Sequence, residues 1–328
     1  MSFGFFSLFL TSALLAVLLV GVLKKLSIRY RILMVRGMPL TGGAGMALAF
    51  SATMFLFLSG NSRAWMRPEL WGVVLASVTV LIAGVIDDIR ELSVAQKFLV
   101  QTIAAFTLIL FGVKTNIGFI GTAPNLLFSF LWIIGITNAV NLLDVMDGLA
   151  AMTSIPVLLC FAVLSFLKND ITTLVLSLTL AGAILGFLVY NLPPARIYMG
   201  NSGSHFLGLL LAAIALTARY ATPENKVGLF APFLILGFPI FDTVFLVLMR
   251  IKKGKSAFSK SNDHLALRYL KQGHSKGKTL LLMLAVSVFF VACGFLLSWV
   301  SNRQAVVILM AAFVFSLLLL KKMSPVDI

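Results

Sequence analysis

Long apolar stretches alternate with short polar ones along the whole chain. Runs of membrane-crossing length fall at 3–23, 43–60, 70–86, 96–113, 125–141, 149–167, 171–190, 203–219, 228–249, 279–299 and 303–320. A bilayer-spanning helix needs about 20 mainly apolar residues. The pattern therefore predicts an all-α, polytopic membrane protein of about eleven transmembrane helices. No internal repeat or inserted soluble domain interrupts the series, so residues 1–328 read as a single integral membrane domain. The longest polar segment, 250–278, reads as a basic cytoplasmic loop.

Composition narrows the class. The chain is 60% hydrophobic and only 11% charged, with a mean hydropathy of +1.05, whereas soluble domains carry about a quarter charged residues. An aqueous enzyme, a nucleic-acid binder and a disordered regulator are excluded. The net charge of +15 sorts by membrane side instead. Threading the spans with the N-terminus outside places 19 of the 26 Lys and Arg in cytoplasmic segments. The other seven are Arg63, Arg67, Lys114, Lys168, Arg219, Lys226 and Arg303. Positive charge collects in cytoplasmic loops, so this orientation is expected, with the C-terminus in the cytoplasm. Lys24 and Lys25 follow the first apolar run rather than precede it, which predicts an uncleaved first helix and not a signal peptide. Cys160 and Cys293 both lie inside apolar runs, so neither a disulfide framework nor a thiolate metal site is indicated.

In this threading most acidic residues gather at one face. Asp87, Asp88, Glu91, Asp144, Asp147, Asp242, Asp263 and Asp327 fall on or near the cytoplasmic side, while Glu69, Asp170 and Glu224 fall outside. Acidic residues from several loops meeting at one face suggest a site. Asp87 and Asp88 end the run LIAGVIDD; adjacent carboxylates repel unless a cation neutralises them, and Lys97 opens the next span. The string NAVNLLDVMDG spaces Asn138, Asn141, Asp144 and Asp147 at intervals of three and closes on Gly148. Each such step turns a helix by about 300°, so Asn141 and Asp144 share a face, and a tightened last turn brings Asp147 round. Such residues at the end of an apolar span are costly unless they meet water, a cation or each other. Oxygen-only ligands suit Mg²⁺, which takes one or two carboxylates together with substrate phosphates. The bland alternative is a polar helix cap.

Two further segments carry chemistry. In NLPPARIYMGNSGSHFLG, Asn191 and the two prolines stop one helix, and Gly200–Ser204 opens the next. A glycine-rich turn into a helix presents free backbone N–H groups to an anion, although any tight loop uses glycine; His205 reads as a packed histidine. In the basic loop, His264 begins an amphipathic stretch suited to lying in the interface near anionic head groups. Asp242, about 12 Å deeper than Arg250 along a helix, needs a partner, structural or catalytic.

These segments, in this order, resemble the polyprenyl-phosphate N-acetylhexosamine-1-phosphate transferases, the undecaprenyl-phosphate GlcNAc-1-phosphate transferase-like members of glycosyltransferase family 4. The matching pieces are PLTGG (39–43), IDDIRELSVAQKFLVQ (86–101), NAVNLLDVMDGLA (138–150), MGNSGSHFLG (199–208) and PIFD (239–242). The resemblance implies a multi-pass protein of the bacterial inner (cytoplasmic) membrane with its site at the cytoplasmic face. It implies Mg²⁺-dependent transfer of a sugar 1-phosphate from a UDP-N-acetylhexosamine donor to undecaprenyl phosphate, releasing UMP and starting cell-envelope polysaccharide synthesis. A homodimer is one assembly open to such a protein. Carried onto this chain, Asp87 is the expected base or activator of the lipid phosphate, with Asp88 beside it. Asn141 and Asp144 bound the metal site, Asn201 is a metal ligand, Asp147 and Asn191 contact the nucleotide, and His264 helps bind the diphosphate.

The chain departs from the family pattern twice. Asn201 stands where the family usually has Asp, and Ala266 and Leu267 stand where its loop usually carries histidines. An intramembrane prenyltransferase would need a second spaced Asp pair, which Asp242 and Asp263 do not form. A transporter would place charge near mid-membrane with repeat symmetry. An inactive relative is the third alternative.

Overall fold

The structure, a computed structural model, describes residues 4–61, 64–221, 225–256 and 261–326. Arg63, Glu224 and Asp327, assigned to sides above, and Lys260 of the basic loop lie outside the described residues. The helices are α1 (Phe5–Tyr30), α2 (Gly42–Ser59), α3 (Pro68–Ile89), α4 (Val94–Leu110), α5 (Thr122–Leu143), α6 (Leu149–Leu167) and α7 (Ile171–Asn191). They continue as α8 (Gly200–Thr217), α9 (Ala231–Ile235), α10 (Gly237–Lys252), α11 (Leu265–Lys271), α12 (Lys276–Leu297) and α13 (Asn302–Met323). The strands, β1 (Met34–Val35) and β2 (Met38–Pro39), form a small antiparallel hairpin. Its turn places Arg36 and Gly37 at φ of 50° and 79°, the positive values a two-residue hairpin turn requires.

Every expected apolar run is helical. Eight helices are long and apolar enough to cross a bilayer, and a ninth span results if the bent pair 226–235 and 237–252 is counted as one. Of the rest, α4 is an apolar helix of only 17 residues and α8 begins with the polar turn GNSGSH. The run 228–249, read from sequence as one span, bends by 68°. Pro239 supplies no backbone N–H to the turn before it, and Gly237 adds backbone freedom, so the break falls where the helix ladder is weakest.

The architecture is centred on α8. Residues 202–215 of this helix are all buried, and α2, α3 and α5 pack around it. Lipid tails are as apolar as leucine, so association depends on close van der Waals fit and small residues at the crossings. Gly43 of α2 meets Gly203 of α8 backbone to backbone, with no room for a Cβ on either. Gly182 and Gly186 of α7, four apart, take the carbonyls of Phe9 and Ala13 of α1 in the same way. At the edge of the bundle, α1 and α13 carry apolar residues such as Leu14, Leu18, Phe313 and Leu318 on outward faces.

The amphipathic stretch after His264 does not lie along the interface as expected. It forms α11, whose Leu265, Ala266 and Tyr269 are buried in an apolar cluster with Phe238, Phe245 and Met283. Buried Arg268 accounts for the inward turn. Its guanidinium bonds Asp263 at 2.6 Å and the Met323 carbonyl at 2.8 Å, and it stacks on the Phe245 ring. These partners satisfy a charge that would otherwise keep the segment at the surface.

Candidate active site at one membrane face

The chemistry-bearing residues collect where α3, α5, α7 and α10 end and α4, α6, α8 and α12 begin. At the opposite face the polar groups are absorbed by structure: Asp170 caps α7 through Thr173, and Lys168 donates to the Tyr220 carbonyl.

The start of α8 organises the site. Its free N–H groups do attract an anion, but the anion comes from within the chain. Asp88 Oδ1 accepts the Asn201 N–H at 2.7 Å, and Oδ2 accepts the Ser202 N–H at 3.1 Å. Gly200 makes this approach possible. It sits at φ 74°, and a Cβ there would stand 2.6 Å from Asp88 Oδ2. The neighbouring carboxylate points elsewhere: Asp87 Oδ2 pairs with Lys97 Nζ at 2.7 Å, and Oδ1 accepts the Leu92 N–H at 2.7 Å. Repulsion between Asp87 and Asp88 is thus relieved by sending one to a lysine and the other to a helix end. Beside them a small pocket is walled by Val80, Ala83 and Val100 and by the polar groups of Asp87, Lys97 and His205.

The Asn/Asp series divides by task. Asn138 exchanges two hydrogen bonds with Gln101, at 3.1 and 2.7 Å, and serves the α4–α5 packing. Asn141 reaches α8, donating to Ser204 Oγ at 2.8 Å and Asn201 Oδ1 at 3.3 Å. Both candidate metal-binding amides therefore lie together. The helix ends at Leu143, and residues 144–147 leave the helical path instead of forming one more tightened turn. Among the described residues no hydrogen bond or ion pair holds the half-buried Asp144 carboxylate. Burial pushes it up to about 7, and the charges of Asp88 and Asp147 add to the shift. Asp147 pairs with Lys276 Nζ at 2.9 Å.

Asn191 is buried and fully engaged, accepting the Gly148 N–H at 2.9 Å and donating to the Ile197 carbonyl at 2.8 Å. It ties together the two loops bordering the site. His264 is also buried; its Nδ1 lies 2.8 Å from Asp242 Oδ2. His205 bonds the Asn201 carbonyl at 2.9 Å, as expected of a packed histidine. Lys276, at the start of α12, was not singled out by the sequence, where it is one of many loop cations.

No three His, Cys, Asp or Glu side chains are gathered for a metal among the described residues. The donor set nevertheless fits a hard cation. An unpartnered carboxylate stands beside two other carboxylates, and two amides lie nearby. That suits an ion taking few protein ligands and several waters or phosphates.

The profile of glycosyl transferase family 4 matches residues 70–219, a stretch containing every candidate site residue except His264. The probable undecaprenyl-phosphate N-acetylglucosaminyl 1-phosphate transferase of Bacillus subtilis (strain 168) is 32% identical over 267 residues, covering 77% of this chain and 71% of that one. The decaprenyl-phosphate N-acetylglucosaminephosphotransferase of Mycolicibacterium smegmatis is 31% identical over 313 residues, covering 84% and 77%. The phospho-N-acetylmuramoyl-pentapeptide-transferase of Streptococcus mutans serotype c is 32% identical over 209 residues, covering 56% and 60%.

Proposed function

The chain belongs to glycosyl transferase family 4, and from that membership we propose that it transfers N-acetylhexosamine 1-phosphate from a UDP-sugar to undecaprenyl phosphate. The reaction takes place at the cytoplasmic face of the bacterial inner membrane, with the chain crossing it eleven times. A lipid-phosphate oxygen attacks the sugar-bearing phosphorus of the donor, the bond to UMP breaks, and the product is a lipid diphosphate sugar. The observation that carries this reading is the unpartnered Asp144 carboxylate, which feels the charges of both Asp88 and Asp147. Such an acidic cluster can accept a phosphate-bearing donor only with a cation to offset the repulsion.

Asn141, Asp144 and Asn201 are the residues that would hold Mg²⁺, which when bound neutralises the diphosphate and the charge that builds up on transfer. Asp88 keeps α8, and with it Asn201, in register with Asn141. Asp87 has both oxygens engaged and acts through Lys97, holding its ammonium at the cavity beside the site. A phosphate monoester with a second pKa of about 6 is already largely dianionic at neutral pH, so orientation by a cation serves it better than a strong base. The cavity joins apolar walls to an ionic pair, as a lipid phosphate requires. Asp147 and Asn191 border the nucleotide, and His264 contacts the diphosphate.

The N-acetylglucosamine donor is favoured over a muramoyl-peptide donor because the similarity to the Bacillus protein extends over more of both chains. A transfer assay tests this, offering UDP-N-acetylglucosamine or the UDP-muramoyl peptide to purified protein with undecaprenyl phosphate. Formation of UMP and a lipid-linked N-acetylglucosamine is expected. Turnover of the muramoyl-peptide donor alone would reverse the donor assignment, and no turnover of either would overturn the function.

A further inference from the structure

Asp242 is a buried carboxylate that the proposed transfer leaves without a task. It lies early in α10, just past the bend, and is 2% exposed, while His264 is 3% exposed. Its Oδ2 stands 2.8 Å from His264 Nδ1, and its Oδ1 accepts the Leu265 N–H at 2.9 Å. One carboxylate therefore holds both the imidazole and the start of α11. Leu265 packs in the same apolar cluster as Leu143 and Met146, which flank the Asp144 turn. Asp263, the other carboxylate beside the ring in sequence, is committed to Lys253 at 2.9 Å and Arg268 at 2.6 Å. It does not compete with Asp242 for the imidazole.

An ionised carboxylate only accepts hydrogen bonds, so the ring nitrogen facing it must carry the proton. Nδ1 is then the donor to Asp242, and Nε2 is the nitrogen left for a ligand; among the described residues nothing bonds it. We propose that Asp242 is a positioning residue for donor binding, fixing His264 with Nδ1 protonated and Nε2 available to the donor's diphosphate. With Nδ1–H held by the carboxylate, Nε2 can donate to an anionic ligand only as the doubly protonated ring, whose charge Asp242 balances in the complex. The proposal rests on the reading of His264 as a diphosphate contact. Capping alone does not account for the arrangement, because Leu265 uses one oxygen and the imidazole takes the other.

The discriminating variant is Asp242→Asn. Its amide oxygen can keep the Leu265 bond, and its NH₂ then faces Nδ1, forcing the ring proton onto Nε2. The full chain, in lipid nanodiscs, would be compared with Asp242→Asn, His264→Gln and the double variant, using UDP-N-acetylglucosamine. A neutral ring binds an anion less well than a charged one, since charge-assisted hydrogen bonds are about twice as strong. Asp242→Asn should raise the donor KM about tenfold with the lipid-acceptor KM unchanged, and the double variant should be no worse than His264→Gln. In protein labelled with ¹⁵N at histidine, the wild-type His264 signals, assigned by His264→Gln, should show Nδ1 protonated, and Asp242→Asn should invert them. If His264→Gln raises the donor KM and Asp242→Asn does not, the proposal falls and the reading of His264 stands. If His264→Gln leaves the donor KM unchanged, that reading falls and takes the proposal with it. The wild-type spectrum needs no variant to fold: an unprotonated Nδ1 would overturn the proposal directly.

Discussion

Asp88 and Asn201, 113 positions apart, are joined by a 2.7 Å bond from the Asn201 backbone N–H to the Asp88 carboxylate. The end of α3 is thereby fastened to the start of α8, and the same helix start carries the amide that meets Asn141. A residue expected for its chemistry thus also sets the geometry on which the chemistry depends. In Asp88→Asn one oxygen remains to accept and the NH₂ faces a helix N-terminus, so the cap is lost in part at a cost of about 1–2 kcal/mol. Activity should fall about 10²-fold or more, the scale of groups that act directly in the reaction. Thermal unfolding and turnover measured on the same preparation test this; a fall in activity no larger than the loss of folded protein would make Asp88 a cap only.

Asn201 provides a second test. An amide oxygen ligates Mg²⁺ without bringing charge, so the ion should be held more weakly than by a carboxylate. Asn201→Asp should therefore lower the Mg²⁺ concentration needed for half-maximal turnover. Superimposable Mg²⁺ titrations for the two forms would show position 201 to be a turn residue, with the metal held elsewhere.

Much of this was legible in the sequence, and what was not has physical causes. Hydrophobic runs located the helices because spanning a bilayer demands an apolar length. The break at Leu236 stayed hidden because Gly237 and Pro239 are both tolerated in membrane helices. The free helix N-terminus at Gly200 was visible as an anion site, but its occupant, Asp88, lies 113 positions away, and no local pattern reports such a pairing. The Asn/Asp series marked the site, yet spacing alone does not separate Asn138, absorbed by Gln101, from Asn141, which faces α8. The burial of α11 was missed for a similar reason: its amphipathic pattern suits lipid and protein surfaces equally, and the Met323 carbonyl that receives Arg268 lies 55 positions away.

The α2–α8 crossing should be intolerant of the smallest addition. Gly43 and Gly203 approach through their backbones, so no side chain can move aside to admit a methyl group. Gly43→Ala should push the helices apart and cost about 1–3 kcal/mol, the usual range for overpacking. It should lower the melting temperature in detergent, whereas Gly118→Ala, with open space at its Cβ, should not. Equal melting temperatures for both would mean that α2 shifts freely against α8.

The proposed eleven spans would put the two ends on opposite sides. Cysteines introduced at Gly4 and Ser324 should react with a membrane-impermeant thiol reagent from outside and only after lysis, respectively, in a background lacking Cys160 and Cys293. Both labelling from one side would require an even number of crossings and a different role for α4 or α8.

Asp144 separates function from stability most cleanly. Its carboxyl is pushed up to about 7 by burial and by the neighbouring charges of Asp88 and Asp147, and no partner offsets this among the described residues. A group in that position does nothing for the empty protein, since its charged form is repelled by its neighbours. Asp144→Asn removes the repulsion and keeps the shape, so the melting temperature should be unchanged or higher. Turnover should nonetheless fall by about 10²-fold or more if the carboxylate takes part in the reaction. That opposition is the signature of a site whose strain is relieved only by its ligands. A variant that melted earlier and kept near-normal turnover would assign Asp144 to the loop's structure and move the centre of the chemistry elsewhere.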